Sequence, residues 1–264
     1  MSEKYAHEIQ TTAEYGCGLE GILAKRKHDI SGIINGIDCE IWNPETDDLI
    51  PVRYSSKDIE LKSENKRYLL HANGMEYDAE TPLIGMISRL ADQKGFDILI
   101  EIFDEMMKMN VQFILLGTGE KKIQDQIEKL QKKYPKRVGI NLKFDDTLAH
   151  MIEAGADMFL MPSKYEPCGL NQLYSLRYGT VPIVRATGGL DDTIDDVDDS
   201  QRGTGFKFQK YDGKDLLKAI HHAVKLYGDK AAWQKIQRNG MAKDFSWESS
   251  AKQYVALYRK LLRQ

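Results

Sequence analysis

Cysteine is scarce in this chain of 264 residues, and the three that occur (Cys17, Cys39 and Cys168) are far apart. An odd number of cysteines without metal-type spacing argues against a disulfide framework and against a structural zinc site. A strong excess of charge is also missing, because 37 lysines and arginines face 40 aspartates and glutamates. A net charge of −3 offers no electrostatic attraction to nucleic acid or to an anionic membrane, so we expect neither as a partner.

Long apolar runs are missing as well. No stretch approaches the roughly 20 apolar residues that cross a bilayer, and the opening SEKYAHEIQ lacks the apolar core of a secretory signal peptide. We therefore expect a globular protein of the cytosol, although a plastid protein stripped of its transit peptide would have the same features. The length allows one large domain or two small ones.

Short apolar runs alternate with helical patterns along most of the chain. The segments predicted to be strands are 83–88, 111–116, 138–144, 158–161, 181–184 and 205–208. The segments with helical periodicity are 95–109, 123–134, 146–154, 170–178, 216–227, 231–241 and 246–262. This alternation predicts an α/β fold, a Rossmann-like parallel sheet with helices on both faces, whose ligands bind at the carboxyl ends of the strands.

Residues 165–193, YEPCGLNQLYSLRYGTVPIVRATGGLDDT, are the most informative stretch. They have the pattern of a strand end, the acidic Glu166, a tight turn, a helix, a buried strand and a second glycine turn. Cys168, Gly169 and Leu170 would open the helix, whose first N–H groups suit an anion or a polar ligand. Glu166 would instead accept hydrogen bonds from hydroxyls, as on a sugar ring. A helix start with an acidic flank and no ligand is the alternative.

The segments EPCGL and QLYSLRYGTVPIVRATGGLDDT resemble the bacterial glycogen synthase and plant starch synthase family. Four other segments resemble the same family in the same order: YAHEIQT from residue 5, GIINGIDCEIWNPETD from residue 32, SRLADQKGFDIL from residue 88 and LLGTGE from residue 115. The resemblance covers nearly the whole chain. It implies a retaining glucosyltransferase of the GT-B fold, which transfers glucose from ADP-glucose, or UDP-glucose in some members, to the non-reducing end of an α-1,4-glucan.

The resemblance also implies that part of the enzyme is missing. Members of the family begin with a complete N-terminal domain that has a Lys-x-Gly-Gly-Leu motif, and this chain has none. We expect residues 1–45 to be a remnant of that domain, 46–66 a linker, and 67–264 the C-terminal nucleotide-sugar-binding domain. The last helix, 246–262, would pack back toward the N-terminal side. No cofactor is implied, and we expect this half alone to be inactive in polymerisation.

Two cations follow the first predicted strand. Arg89 ends the strand and Lys94 precedes the next helix. An arginine binds phosphate bidentately and a lysine acts as a point charge, so together they suit a diphosphate. In the family the matching residues neutralise the departing nucleoside diphosphate, which implies that Arg89, Lys94 and Glu166 are catalytic. Gln93 is implied to approach the sugar. Ordinary solvated cations are the alternative.

The resemblance implies further donor-binding residues. Gly117 and Gly119 would let the backbone approach the nucleotide, and a tight strand-to-helix turn is the alternative. Phe144 would stack on the nucleotide base, unless it is a core residue. Asn35 would face the donor sugar, unless it only forms a turn with the glycine that follows. The segment Cys168–Leu170 would orient the glucose through its backbone N–H groups.

Two positions depart from common patterns. Asn171 replaces the threonine that bacterial members commonly have there, which alters a side chain near the diphosphate. Tyr174 occupies the place of the second glutamate in the Glu-x7-Glu motif of related glycosyltransferases, as it often does in the synthases.

Other functions remain open. The acidic run 191–199 has the oxygen ligands of a Mg²⁺ or Ca²⁺ site, but a solvated loop and helix cap is favoured and we expect no metal. A non-catalytic nucleotide- or glucan-binding fragment, or another GT-B glycosyltransferase, is the alternative to the synthase.

Overall fold

The computed structural model describes residues 1–199 and 202–263. Its sheet has six strands: β1 (Leu83–Ile87), β2 (Gln112–Leu116), β3 (Val138–Asn141), β4 (Met158–Met161), β5 (Val181–Arg185) and β6 (Phe206–Phe208). They lie in the order β3-β2-β1-β4-β5-β6, and every neighbouring pair is parallel. This is the strand order of the Rossmann fold, so the parallel sheet predicted from the apolar runs is confirmed.

Twelve α-helices are present in the described residues. They are α1 (Glu3–Glu8), α2 (Ala13–Gly16), α3 (Glu20–Lys25), α4 (Lys62–Ala72), α5 (Phe96–Met106), α6 (Lys121–Lys133), α7 (Asp146–Gly155), α8 (Asn171–Arg177), α9 (Gly188–Thr193), α10 (Gly213–Tyr227), α11 (Lys230–Met241) and α12 (Trp247–Leu261). Single 3₁₀ turns cover Ile59–Leu61 and Asp92–Lys94. The seven helices that periodicity predicts are all present. Periodicity does not predict α1 to α4 or α9. Four of these helices are only four to six residues long, and α4 buries polar side chains.

Helices cover both faces of the sheet, as predicted. Successive side chains of a strand point to opposite faces, so Phe113 and Leu115 of β2 pack into one core cluster while Ile114 and Leu116 pack into another. Helices α5, α6, α10 and α11 cover the first cluster, and α4, α7, α8 and α9 cover the second. The strands are therefore buried on both sides, which explains their continuous apolar sequence.

The segment 46–66 packs closely against the sheet domain. Tyr54 and Ile59 form a third cluster with Tyr178, which follows α8. Lys62, the first residue of α4, donates hydrogen bonds from Nζ to the carbonyl oxygen of Glu153 at 2.9 Å and to Thr180 Oγ1 at 2.7 Å. The division into an N-terminal remnant, a linker and a C-terminal domain stays a prediction, but this segment has structure and polar contacts of its own.

The start of α12 packs against residues 35–37. A Cβ atom at Gly36 would overlap the backbone of Trp247, and Ile37 forms a single parallel bridge with Ser246. Beyond its first turn, α12 exposes Tyr258 and Leu261. The described part of the chain contains no helix with the length and apolarity that a membrane span requires.

The strand order reverses between β1 and β4. Strand β1 pairs with β2 at five positions, from Leu83 to Ile87. It pairs with β4 only at Ile84 and Gly85. Beyond Gly85, β1 and β4 are not paired with each other. A crevice forms between their carboxyl ends, which is where this fold class binds its ligands.

Candidate functional site

A cleft of about 580 Å³ lies at the carboxyl ends of β1 and β4. Its walls come from four segments: the end of β1, the 3₁₀ turn before α5, the stretch from β4 to α8, and Asn35 from the N-terminal region. Nine of the twelve predicted site residues line it: Asn35, Arg89, Gln93, Lys94, Glu166, Cys168, Gly169, Leu170 and Asn171. The three others, Gly117, Gly119 and Phe144, do not.

Lys94 and Glu166 form an ion pair inside this cleft. Lys94 Nζ lies 2.6 Å from Glu166 Oε2, and the two side chains are 18% and 9% exposed. Ser163 Oγ donates to the same oxygen at 3.1 Å, whereas Oε1 has no hydrogen-bond partner among the described residues. Neither contact is predicted by the sequence, which places Lys94 on the diphosphate and Glu166 on the sugar without pairing them. The sequence also gives no signal for Ser163, a hydroxyl just after β4.

The turn before α5 fixes Lys94 against the end of β4. Gly95 has φ +75°, and a Cβ atom there would overlap the carbonyl oxygen of Pro162. Gln93 Nε2 donates to the carbonyl oxygen of Tyr165 at 3.0 Å, and the backbone N–H of Lys164 donates to the carbonyl oxygen of Gln93 at 2.9 Å. Backbone packing therefore holds Lys94 beside Glu166. The side-chain amide of Gln93 already donates a hydrogen bond within the protein.

Arg89 follows β1 and is exposed at the rim of the cleft. The two glycines of LLGTGE support the segment that contains it, because Cβ atoms at Gly117 and Gly119 would overlap the carbonyl oxygens of Ser88 and Leu90. This close backbone packing accounts for the glycine residues, as the tight-turn alternative expects. Their approach to a nucleotide stays a prediction.

The turn into α8 is held by Gln172. Its Nε2 donates to the carbonyl oxygens of Cys168 at 2.9 Å and Gly169 at 3.2 Å. Gly169 has φ +73°, a conformation that favours glycine. Asn171 Nδ2 donates to the carbonyl oxygen of Ile87 at 2.6 Å, which joins the start of α8 to the end of β1. No side chain in the described chain caps α8, so its first N–H groups remain available to a ligand.

Cys168 is a buried residue of the cleft wall. The backbone N–H of Asn35 donates to its Sγ at 3.3 Å, which brings the N-terminal region to the site as the resemblance implies. Burial raises the pKa of the Cys168 thiol, so the group is a neutral wall residue at physiological pH rather than a nucleophile.

Phe144 and Tyr174 lie outside the cleft. Strand β3 ends at Asn141, so Phe144 is in the following loop, and it is 92% exposed. The core alternative for Phe144 is therefore wrong, and base stacking stays a prediction. Tyr174 stacks on Trp42 with ring centroids 3.8 Å apart, and His150 stacks on the other face of Trp42 at 3.8 Å. Tyr174 is thus part of a ring stack that attaches the N-terminal segment to α7 and α8.

Lysines pair with two of the six aspartates in the acidic run 191–199. Asp191 pairs with Lys207 at 2.9 Å, and Asp195 pairs with Lys243 at 2.5 Å. The described residues contain no group of three or more His, Cys, Asp or Glu side chains arranged to hold a metal ion. These contacts agree with the solvated-loop interpretation.

Residues 74–240, more than half of the chain, match the family described as "Glycosyl transferases group 1". The chain belongs to this family.

Individual proteins similar to this chain indicate a narrower group within the family. The chain is 52% identical to the glycogen synthase of Koribacter versatilis over 98% of its own length and 54% of that protein. It is 50% identical to the glycogen synthase of Thermotoga petrophila, over 99% of the chain and 54% of that protein. These similarities confirm the resemblance to the glycogen and starch synthases. The chain spans about half the length of the curated relatives it matches.

A solved structure supports the same relationship. The catalytic domain of starch synthase IV from Arabidopsis thaliana, bound to ADP and acarbose, matches all of this chain and 55% of that domain. The TM-score is 0.93 at 37% sequence identity. The match confirms the predicted fold class, the C-terminal domain of the GT-B fold.

Proposed function

We propose that the chain is the donor-binding half of a retaining glucosyltransferase of the glycogen and starch synthase type. The enzyme would transfer glucose from ADP-glucose to the non-reducing end of an α-1,4-glucan. The observation that supports this proposal most directly is the grouping of Arg89, Lys94 and Glu166 with the open start of α8 in one cleft between β1 and β4.

Arg89 and Lys94 would stabilise the diphosphate leaving group. Charge develops on the diphosphate as the bond to the sugar breaks, and fixed cations in a site that excludes water stabilise such charge strongly. The Lys94 ammonium has three N–H donors. One is directed at Glu166, which leaves the others for phosphate oxygens. Arg89, at the rim, would complete the contact with its planar donor pair.

Glu166 would bind the glucose. Lys94 and Ser163 hold Oε2, so the orientation of the carboxylate is fixed before a ligand arrives. Oε1 is then the oxygen that accepts hydrogen bonds from sugar hydroxyls. The backbone N–H groups at Cys168–Leu170 would contact the sugar or the phosphate next to it.

We propose ADP rather than UDP as the nucleotide, because the similar starch synthase structure has ADP bound. We also propose the cytosol as the compartment, by analogy with the glycogen synthases that the chain resembles, with a plastid as the alternative.

Calorimetric titration of the chain with ADP, adenosine, UDP and ADP-glucose tests the proposal. We expect Arg89→Ala to weaken ADP about tenfold, as the loss of one charge-assisted contact does, and to leave adenosine unchanged. Because Arg89 is exposed, the melting temperature should stay the same. Arg259→Ala removes an equal charge from an exposed position of α12 that does not line the cleft, and serves as the matched control. Equal losses of ADP and adenosine affinity would show that Arg89 does not bind phosphate.

Binding without turnover is the second candidate. The fact that the chain spans about half of its relatives favours it, since an acceptor site could lie in the other half. Release of glucose from ADP-glucose by the chain, measured beside the titrations, distinguishes the two functions.

A further inference from the structure

Glu8 is a buried carboxylate outside the cleft. It lies at the end of α1 and is 8% exposed. Its Oε1 and Oε2 accept hydrogen bonds from Thr187 Oγ1 at 3.2 and 3.1 Å. They also accept from the backbone N–H of Gly188 at 3.2 and 3.1 Å. The Glu8 carboxylate therefore holds the turn that leads from β5 into α9.

This turn touches the main chain of Glu166. The backbone N–H of Gly189 donates to the carbonyl oxygen of Glu166 at 2.8 Å. Gly188 has φ +46°, and a Cβ atom there would overlap the same carbonyl oxygen. The turn 187–189 therefore lies in direct contact with the backbone of Glu166.

The rest of α1 is fixed to the same region. The backbone N–H of Ser2 donates to the carbonyl oxygen of Pro167 at 2.8 Å, directly after Glu166. The backbone N–H of Lys4 donates to Asp192 Oδ2 at 2.8 Å in α9. Glu8 is thus part of a rigid contact between the N-terminal helix and both sides of the Glu166 loop.

Hydrogen bonding favours the charged form of Glu8. Burial raises the pKa of its carboxyl group, and the hydrogen bonds from Gly188 and Thr187 oppose that rise. If the carboxylate were removed, the Gly188 N–H and the Thr187 hydroxyl would be left buried without their partner, which is costly. The turn would then relax toward other donors and acceptors.

We propose that Glu8 is a positioning residue for the donor sugar site. Through the turn 187–189, it holds the backbone of Glu166 so that the free carboxylate oxygen, Oε1, meets the glucose hydroxyls. The inference rests on the proposed sugar contact of Glu166. Glu8 itself does not line the cleft, so it would act on the sugar only through Glu166.

The test compares the affinities of the chain for ADP-glucose and for ADP by calorimetry. Glu166→Gln should weaken ADP-glucose relative to ADP about tenfold, the loss expected for one charge-assisted contact. Glu8→Ala should lower the same ratio several-fold. The double variant should be no worse than Glu166→Gln alone, because Glu8 acts through Glu166. A merely structural role would lower the melting temperature without changing this ratio.

Two further variants complete the experiment. Lys4→Ala removes the 3.4 Å ion pair between α1 and Asp191 but leaves the turn 187–189 in place, so its ratio should match wild type. Glu8→Gln is close in shape to glutamate and keeps one acceptor, so its ratio should lie between wild type and Glu8→Ala. If Glu8→Ala does not fold, the affinity ratio of Glu8→Gln tests the positioning role in its place.

The outcomes separate the inference from the proposed function. If Glu166→Gln lowers the ratio but both Glu8 variants keep it, the positioning role is wrong and the proposed function stands. A Glu8 variant that weakens ADP and ADP-glucose equally would also overturn the inference. If Glu166→Gln leaves the ratio unchanged, Glu166 does not bind the sugar, and both the proposed contact and the role of Glu8 are wrong.

Discussion

Lys94 and Glu166 form a largely buried ion pair in the cleft wall. Moving two charges out of water costs free energy that their attraction only partly offsets, so a buried ion pair is a poor source of stability. Here the pair lies in the cleft wall, and Ser163 adds a hydrogen bond to the carboxylate. A functional reason explains the arrangement better, because charges shielded from water act strongly on a bound ligand.

Gly95 is the backbone position on which Lys94 depends, and Gly95→Ala should damage both stability and binding. The positive φ and the overlap with the Pro162 carbonyl oxygen cannot be relieved by moving a flexible side chain. We expect the free energy of unfolding to fall by about 2–4 kcal/mol and ADP to bind more weakly. Urea unfolding and calorimetry provide the two measurements.

Gly21→Ala in α3 is the matched control, because nothing lies within 4 Å of the added Cβ. It should leave ADP binding unchanged and should not lower the free energy of unfolding, which can rise by up to about 1 kcal/mol because alanine favours a helix more than glycine does. A Gly95→Ala chain with wild-type stability would mean that the turn before α5 shifts freely, and that Lys94 is not fixed by it.

Helices α4, α7 and α8 are joined by buried polar groups. Glu153 of α7 is fully buried; burial raises its pKa to about 8, and the hydrogen bond from Ser175 opposes the rise. Burial lowers the pKa of Lys62 in α4 to about 7, although nearby carboxylates oppose this. At neutral pH Glu153 therefore remains largely protonated in the folded chain, while the same group is ionised in the unfolded chain.

The different protonation of Glu153 in the folded and unfolded chain predicts that the free energy of unfolding falls as pH rises from 5 to 7. The folded state binds more protons at Glu153 than the unfolded state does, so each unit of pH above about 4.5 favours unfolding. Glu153→Gln imitates the protonated group and removes this dependence. We expect the difference in free energy of unfolding between the variant and wild type to shift by about 2 kcal/mol in favour of the variant as pH rises from 5 to 7. Because the pKa of Lys62 is lowered to about 7, Lys62 begins to contribute an opposite slope above about pH 6.

Urea unfolding of both chains at several pH values measures the effect. Glu60→Gln, at an exposed position, should follow wild type throughout. Parallel curves for wild type and Glu153→Gln would show that Glu153 is ionised in the folded state and would contradict the prediction.

On the scale of the whole molecule, almost all of the residues that line the cleft belong to the sheet domain. Its walls come from the sheet domain and from Asn35. Helix α12 exposes Tyr258 and Leu261, and Leu262, directly after it, is also exposed. The relatives that match the chain are nearly twice as long. Glucosyl transfer to a glucan requires an acceptor held opposite the donor at bonding distance, and the proposed function assigns only the donor side to the cleft of this chain.

We therefore expect the chain to bind ADP but not to elongate a glucan primer. Incubation with labelled ADP-glucose and a primer measures elongation, and calorimetry on the same sample shows that the chain is folded and binds ADP. Steady incorporation of glucose into the primer by this chain alone would contradict the expectation and would place the acceptor site within these 264 residues.

The sequence predicted the strands, more than half of the helices and nine residues that line the cleft. Apolar runs gave six strands and helical periodicity gave seven of the twelve helices of the described residues, because both patterns repeat with the period of the local backbone. Helix α4 was missed because Lys62, Asn65 and Lys66 occupy its buried side and their partners lie elsewhere in the chain. The strand predicted at 138–144 was too long, because Phe144 is apolar but exposed.

The sequence by itself determined the family, the sheet architecture and nine of the residues that line the cleft. Tertiary structure alone decided which of them meet. Lys94 and Glu166 are 72 positions apart, and Glu8 and Gly188 are 180 apart. A local pattern records only the period of its own helix or strand, whereas such contacts depend on the strand order that brings the ends of β1, β4 and β5 to one edge of the sheet.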